Sequence, residues 1–200
     1  MIIRTIILCY FLLCLSATAE ENVIIDSKMT FEESIKSTQA PAELIEEISL
    51  IDVQYYSFDG KLHQGQLVVH NDVKEDVLEI FDIIKEIEYP VNKVVPIVVF
   101  DWSDNASMDD NNTSAFNYRF ISGTKRLSNH AFGKAVDINP INNPYITSNG
   151  KIIPSAGSYD TKKFETFTDD HPVVKAFKDR GWRWGGNFNS YKDYHHFDKK

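Results

Sequence analysis

Asp59-Gly60 stands between two runs, IDVQYYSF and KLHQGQLVVH, that are rich in β-branched and aromatic residues. No other stretch limits the fold as strongly. An Asp-Gly pair between strand-forming runs favours a tight reversal, because its residues accept the backbone angles a two-stranded hairpin turn needs. A compact domain is therefore expected to open near Ile51 with a hairpin. A helix should follow: Asp72 and Glu75 fit a capping box, and Val73, Val77, Ile80, Phe81, Ile84 and Ile87 form one apolar face before Pro90 stops it. VVPIVVF reads as a buried strand that Pro96 confines to an edge or a bulge, and DWSDNASMDDNNTS as a polar loop. In KAVDIN, Val136 and Ile138 alternate with Ala135, Asp137 and Asn139, as in a strand with one apolar face. A long loop runs from Pro140 to Tyr159. HPVVKAFKDRG is a short helix with Pro172 near its start and Gly181 just past its end. Trp182 and Trp184 alternate with Arg183 and are expected to pack in the core. The expected fold is a single α+β domain, a small antiparallel sheet with helices packed to one side.

Residues 1–19, MIIRTIILCYFLLCLSATA, join one cation at Arg4 to an apolar stretch and the small pair Ala17 and Ala19. That is the pattern of a secretory signal peptide cleaved after Ala19, and it implies a periplasmic or secreted product. A retained N-terminal anchor is the competing possibility. The apolar stretch is short for a stable membrane span. Cys9 and Cys14, the only cysteines, both lie inside it, so the exported chain would fold without disulfides. With 21 basic and 29 acidic residues, the chain has a formal net charge of −8. That acidity argues against nucleic acid and anionic membranes as partners. Residues 20–50 form an acidic leader with two helical signals, a Thr30/Glu33 capping box and Pro41 opening PAELIEEISL. The remaining residues, 51–200, are expected to be the working domain, and a monomer.

The chemistry centres on SNHAFGKAVD. A carboxylate on an otherwise apolar strand is costly unless something pairs with it. A hydrolytic zinc site needs three N, O or S ligands and an open position. Without cysteine the ligands must be histidine and carboxylate, and His130, Asp137 and His196 supply such a set. Gly133 lets the chain turn between the first two, and Ala135 is small on the face that carries Asp137. Taken singly, the three are ordinary: a surface histidine, an ion-paired carboxylate, a solvated residue near the chain end. The adjoining His195 would point away from His196 in an extended segment, so only one of the pair could be a ligand. His63, His70 and His171 are structural or exposed.

SNHAFGKAVD resembles the S-x-H-x-x-G-x-A-x-D motif of the zinc peptidases that cut bacterial cell-wall peptides. These are the D-alanyl-D-alanine carboxypeptidase and L-alanyl-D-glutamate endopeptidase family, which includes phage endolysins. GWRWGGNFNSYKDYHHF is similar to that family's second element, a W-G-G turn followed by an acid, two residues, a histidine and Phe. The likeness runs from about Val53 to Phe197. It implies a Hedgehog/DD-peptidase-like fold, a Zn2+ cofactor held by His130, Asp137 and His196, and peptidoglycan stem peptides as substrate. Asp193 then takes the place of the catalytic acid and base, and Arg119 that of an arginine contacting the substrate carbonyl. Ser128 braces the first ligand or the substrate, and His195 lines the cleft. Arg126 is a weaker candidate. Asn187 and Phe188 depart from the usual Asp and Trp after W-G-G, and Asp193 is one methylene shorter than the glutamate of some relatives. A metal-containing binding or signalling module without catalysis is the alternative, and a metal-free exported interaction protein a third. Carboxypeptidases and endopeptidases of this family share their catalytic residues, so the sequence does not choose the bond.

Overall fold

The computed structural model describes residues 22–200; the stretch 1–19, expected to be a signal peptide, and both cysteines lie outside the described residues. The chain is a single α+β domain made of several small sheets and a few helices. β1 (Ile24–Ile25), α1 (Phe31–Ser34) and α2 (Ala42–Ile45) precede the expected hairpin. Thr30 and Glu33 form the predicted capping box on α1. The helix begun at Pro41 is shorter than expected. Ile48 onward joins β2 (Ile48–Tyr56) instead, because pairing with β3 (Leu62–His70) overrides local helix preference. β2 and β3 are antiparallel from Ile48↔His70 to Tyr56↔Leu62, and β1 adds in parallel beside β3.

α3 (Lys74–Glu86) packs across this hairpin and buries Val77, Ile80, Phe81 and Ile84 as the periodicity requires. Its entry is set differently from the predicted capping box. A 3-10 turn over Asn71–Val73 comes first, and the His70 ring accepts the Asp72 backbone N–H at 3.0 Å. Pro96 likewise ends a strand sooner than expected. β4 (Lys93–Val94) stops there, and Ile97–Phe100 turns as a 3-10 helix. The expected polar loop contains α4 (Asp104–Asp109), capped by the Ser103 side chain, before β5 (Asn112–Thr113) pairs with β4.

β6 (Ala135–Asp137) is the KAVDIN strand, and the loop after it folds into a hairpin of β7 (Tyr145–Ile146) and β8 (Ile152–Ile153). α5 (Pro172–Asp179) is capped by His171 and packs on α3. β9 (Arg183–Trp184), β10 (Lys192–Asp193) and β11 (His196–Asp198) complete the domain. β11 lies between β6 and β9, and β10 pairs with β7. Val136, Ile138, Trp182, Trp184 and Phe197 all join the core under β2, β3, α3 and α5. A second apolar cluster sits on the outer side. There Phe31, Ile35 and Leu44 from the N-terminal segment cover Val68 and Phe116. That cover backs the stretch leading to Arg119. His63, His70 and His171 are all buried and serve structure: two cap helices, and His63 lies between Asp26 and Asp59 at 3.0 and 3.2 Å.

Candidate metal centre

β6 and β11 run antiparallel with His196 opposite Asp137 and Phe197 opposite Val136. Cross-strand partners point to the same face. Val136 and Phe197 therefore enter the core together, while Asp137 and His196 meet on the other side. His130 arrives from a 3-10 turn, Asn129–Phe132. Ser128 Oγ accepts the His130 backbone N–H at 3.3 Å, which caps that turn. Gly133 closes it in a left-handed conformation with φ +65, and a Cβ there would stand 2.7 Å from the His70 backbone nitrogen. Glycine is needed at this point on both counts.

The three predicted ligands converge. His130 Nε2 lies 3.1 Å from Asp137 Oδ2 and 3.1 Å from His196 Nδ1, and His196 Nδ1 lies 2.9 Å from Asp137 Oδ1. Donors bound tetrahedrally at about 2.0–2.1 Å from zinc stand about 3.3 Å apart, so the set fits a single ion with little movement. Tautomers agree as well. The His130 Nδ1–H donates to the Ala115 carbonyl at 2.6 Å, which leaves Nε2 facing the other donors. Asp137 is 4 % exposed and, among the described residues, has no lysine or arginine beside it, only imidazoles.

In the metal-free protein, protons supply the positive charge this cluster demands. Burial alone would raise the Asp137 pKa, but the neighbouring imidazoles outweigh it and hold the carboxyl well below its ordinary range. Burial opposes charge on His196 too, yet its bonds to Asp137 and Asp198 push its pKa up to about 10. His195 rises to about 9: burial works against it, and the charges of Asp193 and Asp137 prevail.

His195 does not follow the alternation argument. It sits in the turn between β10 and β11, so it faces the same cleft as His196. Its Nδ1–H donates to the Asn143 carbonyl at 2.8 Å, and its Nε2 lies 2.9 Å from Asp193 Oδ1 and 4.0 Å from Asp137 Oδ2. The contact with Asp193 is an ion pair, and no other donor among the described residues reaches the buried Asp193 Oδ1. A carboxylate oxygen left in that condition beside the ligands is suited to taking a proton from a water.

Two acids that sequence reasoning passed over complete the surroundings. Asp198 Oδ2 lies 3.5 Å from His196 Nε2, and the same carboxylate accepts from Arg183 at 2.8 and 2.5 Å and from Asn129 at 2.6 Å. Burial is overcome there by His196 and Arg183, and the Asp198 pKa falls to about 2. Strand periodicity was the available signal, since positions 196 and 198 share a face. Ala135 stands opposite Asp198 in the register. Asp104, at the start of α4, lies 3.0 Å from the Arg119 guanidinium, whose Nε is buried without a partner. Nothing in the sequence pointed to it once its helix had been read as loop.

His130, Asp137, His195, His196, Asp193, Arg119 and Ser128 all line one cleft of about 750 Å³. Phe188 joins its wall, 6.2 Å from the His196 ring, whereas Asn187 turns outward and bonds Asp169 at 3.0 Å. A buried carboxylate between two imidazoles, with a second acid alongside and an open cleft in front, is a donor set that could hold one metal ion. Comparison with protein families adds one finding: residues 122–199 match the family described as D-alanyl-D-alanine carboxypeptidase. The match takes in every ligand candidate and Asp193; Arg119 lies just before it. Searches of curated proteins and of solved structures gave no match.

Proposed function

We propose that the protein is an exported zinc peptidase that hydrolyses a peptide bond in peptidoglycan stem peptides. One observation carries this reading: three donors within 4.8 Å of one another open onto a cleft that also holds Asp193, inside the segment that matches the peptidase family. His130 through Nε2, His196 through Nδ1 and Asp137 would hold the ion. When bound, zinc supplies Lewis acidity, bringing the pKa of water from 15.7 to about 7 and polarising the attacked carbonyl.

The rest is the work of side chains. Asp193 accepts the proton of the attacking water and returns it to the departing amine. Its shorter reach, compared with a glutamate, is offset by the strand that carries it. Asp193 pairs with Tyr145 across β10 and β7, which fixes its backbone against the cleft. Arg119 stabilises the charge growing on the carbonyl oxygen and stays cationic throughout. Asp104 holds that guanidinium through an ion pair at 3.0 Å. His195, 2.9 Å from Asp193 Oδ1, holds that carboxylate in place on the cleft wall. The N-terminal apolar leader supports export.

Purified protein should contain one zinc per chain by elemental analysis and should release defined fragments from muropeptides, identified by mass spectrometry. Asp193→Ala should abolish release and leave the zinc in place. Zinc-loaded protein that leaves every muropeptide intact would refute the proposal.

A further inference from the structure

The cleft contains three arginines, and only two have work inside the protein. Arg119 is committed to Asp104 at 3.0 Å and Arg183 to Asp198 at 2.8 and 2.5 Å. Arg126 lines the same cleft, is exposed, and has no hydrogen bond or ion pair to its guanidinium among the described residues.

Its position is fixed by backbone. Residues 119–128 form a small hairpin: Phe120 bridges Leu127, the Ser128 N–H donates to Arg119 O at 3.0 Å, and the Ile121 N–H donates to Arg126 O at 2.9 Å. The tip is held by Thr124, whose Oγ1 accepts the Arg126 N–H at 3.1 Å and donates to Ile121 O at 2.9 Å. This register puts Arg119, Ile121, Arg126 and Ser128 on one face, and all four line the cleft. Arg126 is thus presented beside the arginine that faces the reacting carbonyl. Two residues of strand separate it from Ser128, about 7 Å along the hairpin, the length of two extended substrate residues.

We propose that Arg126 is a specificity residue that receives a carboxylate of the substrate one or two residues from the bond being cut. The planar guanidinium fork matches a carboxylate with two parallel hydrogen bonds. An unpaired fork on the wall of a peptide-binding cleft selects an acidic peptide over its neutral amide. The inference rests on the peptidase reading for its substrate. A stem peptide offers two sources of that chemistry, the C-terminal α-carboxylate and the free carboxylate of its glutamate. The first would mark a carboxypeptidase, the second an endopeptidase.

The probe is the acetylated pentapeptide L-Ala-γ-D-Glu-L-Lys-D-Ala-D-Ala, with three amidated forms: at the C-terminus, at the glutamate, and at both. Binding to zinc-loaded protein is measured by calorimetry and turnover by mass spectrometry. For the wild type, one single amidation should weaken binding by about 10-fold or more, the range of a charge-assisted hydrogen bond; which one identifies the source. Arg126→Ala should bind the acid form as weakly as the wild type binds the amide, raise KM with kcat nearly unchanged, and retain zinc and melting temperature. Lys200→Ala, which removes a second cation on the cleft wall with no ion pair among the described residues, should keep the discrimination. The inference is overturned if neither amidation matters, if Arg126→Ala discriminates as the wild type does, or if Lys200→Ala is the variant that loses discrimination. Binding that discriminates without any cleavage would sink the peptidase reading and leave Arg126 its role.

Discussion

Gly185→Ala tests how Asp193 is positioned without touching a reacting group. A Cβ at residue 185 would stand 2.3 Å from the Asp193 backbone oxygen and 2.8 Å from the Asp193 Cβ. Ordinary contact begins near 3.4 Å, so the methyl lacks about 1 Å of room. Neither side can yield cheaply. Gly185 begins a 3-10 turn directly after β9, and Asp193 is paired to Tyr145. The strain must move β10, and Asp193 with it, by something near that 1 Å. The W-G-G element of the sequence thus has a physical reason: its first glycine is where the backbone carrying the acid passes closest.

A displacement of about 1 Å in a reacting group costs on the order of 100-fold in rate. The ligands should move far less. Asp137 is on β6, His130 on its own turn, and His196 is paired with Asp137 on β11, which lies between β6 and β9. Gly185→Ala is therefore expected to lower kcat by about 100-fold on a muropeptide substrate while binding one zinc per chain. Overpacking should cost about 1–3 kcal/mol of stability, measured by urea unfolding. A folded, zinc-loaded variant with wild-type kcat would refute the reasoning, because either Asp193 would not be the proton acceptor or its place would not depend on residue 185.

Asp198→Asn removes the negative charge behind His196 and keeps the shape, and zinc affinity should fall about 10–100-fold, read by competition with a chromophoric chelator; unchanged affinity would show that His196 is oriented by β11 alone. The chelated protein should lose stability with rising pH. His196 goes from the ordinary 6.5 to about 10 on folding, so its contribution is complete below about 6.5 and disappears as pH passes 10. Melting temperatures of the chelated protein between pH 6 and 10 check this, and a flat profile would contradict it.

The donor set was legible because it depends on chemistry that composition restricts. A chain whose cysteines are confined to residues 1–19 has only histidine and carboxylate to offer a zinc ion from the rest of its length, and few histidines. The hairpin at Asp59-Gly60 and the apolar face of α3 were legible because period and turn chemistry act locally. What escaped depended on partners far along the chain. The helix expected from Pro41 loses its second half to strand pairing with β3. The capping role fell to His70, outside the usual Ser, Thr, Asp and Asn set. His195 lines the cleft as expected, although it does so from a turn, where strand alternation does not apply. Asp104 and Asp198 matter only through Arg119 and His196, contacts that no local pattern encodes.

The centre is gathered by the core, rather than by the ion. Asp137 and His196 are opposite each other because the next pair inward, Val136 and Phe197, is fully buried. Slipping β11 by one residue would turn Phe197 into the cleft and His196 into the core. Burying a side chain such as phenylalanine or valine is worth about 1.5–3 kcal/mol, and Phe197 also stacks on Phe177 at 4.0 Å. That apolar pair therefore sets the register that brings two ligands together across 59 residues of sequence. His130 is referred to the same strand. Ser114 and Asp137 exchange backbone hydrogen bonds at 3.0 and 2.8 Å, which places the following carbonyl, Ala115, where it fixes the His130 ring. Every donor is thus located by the backbone of Asp137, and the carboxylate with which a strand of this kind is least comfortable is the point from which the site is built.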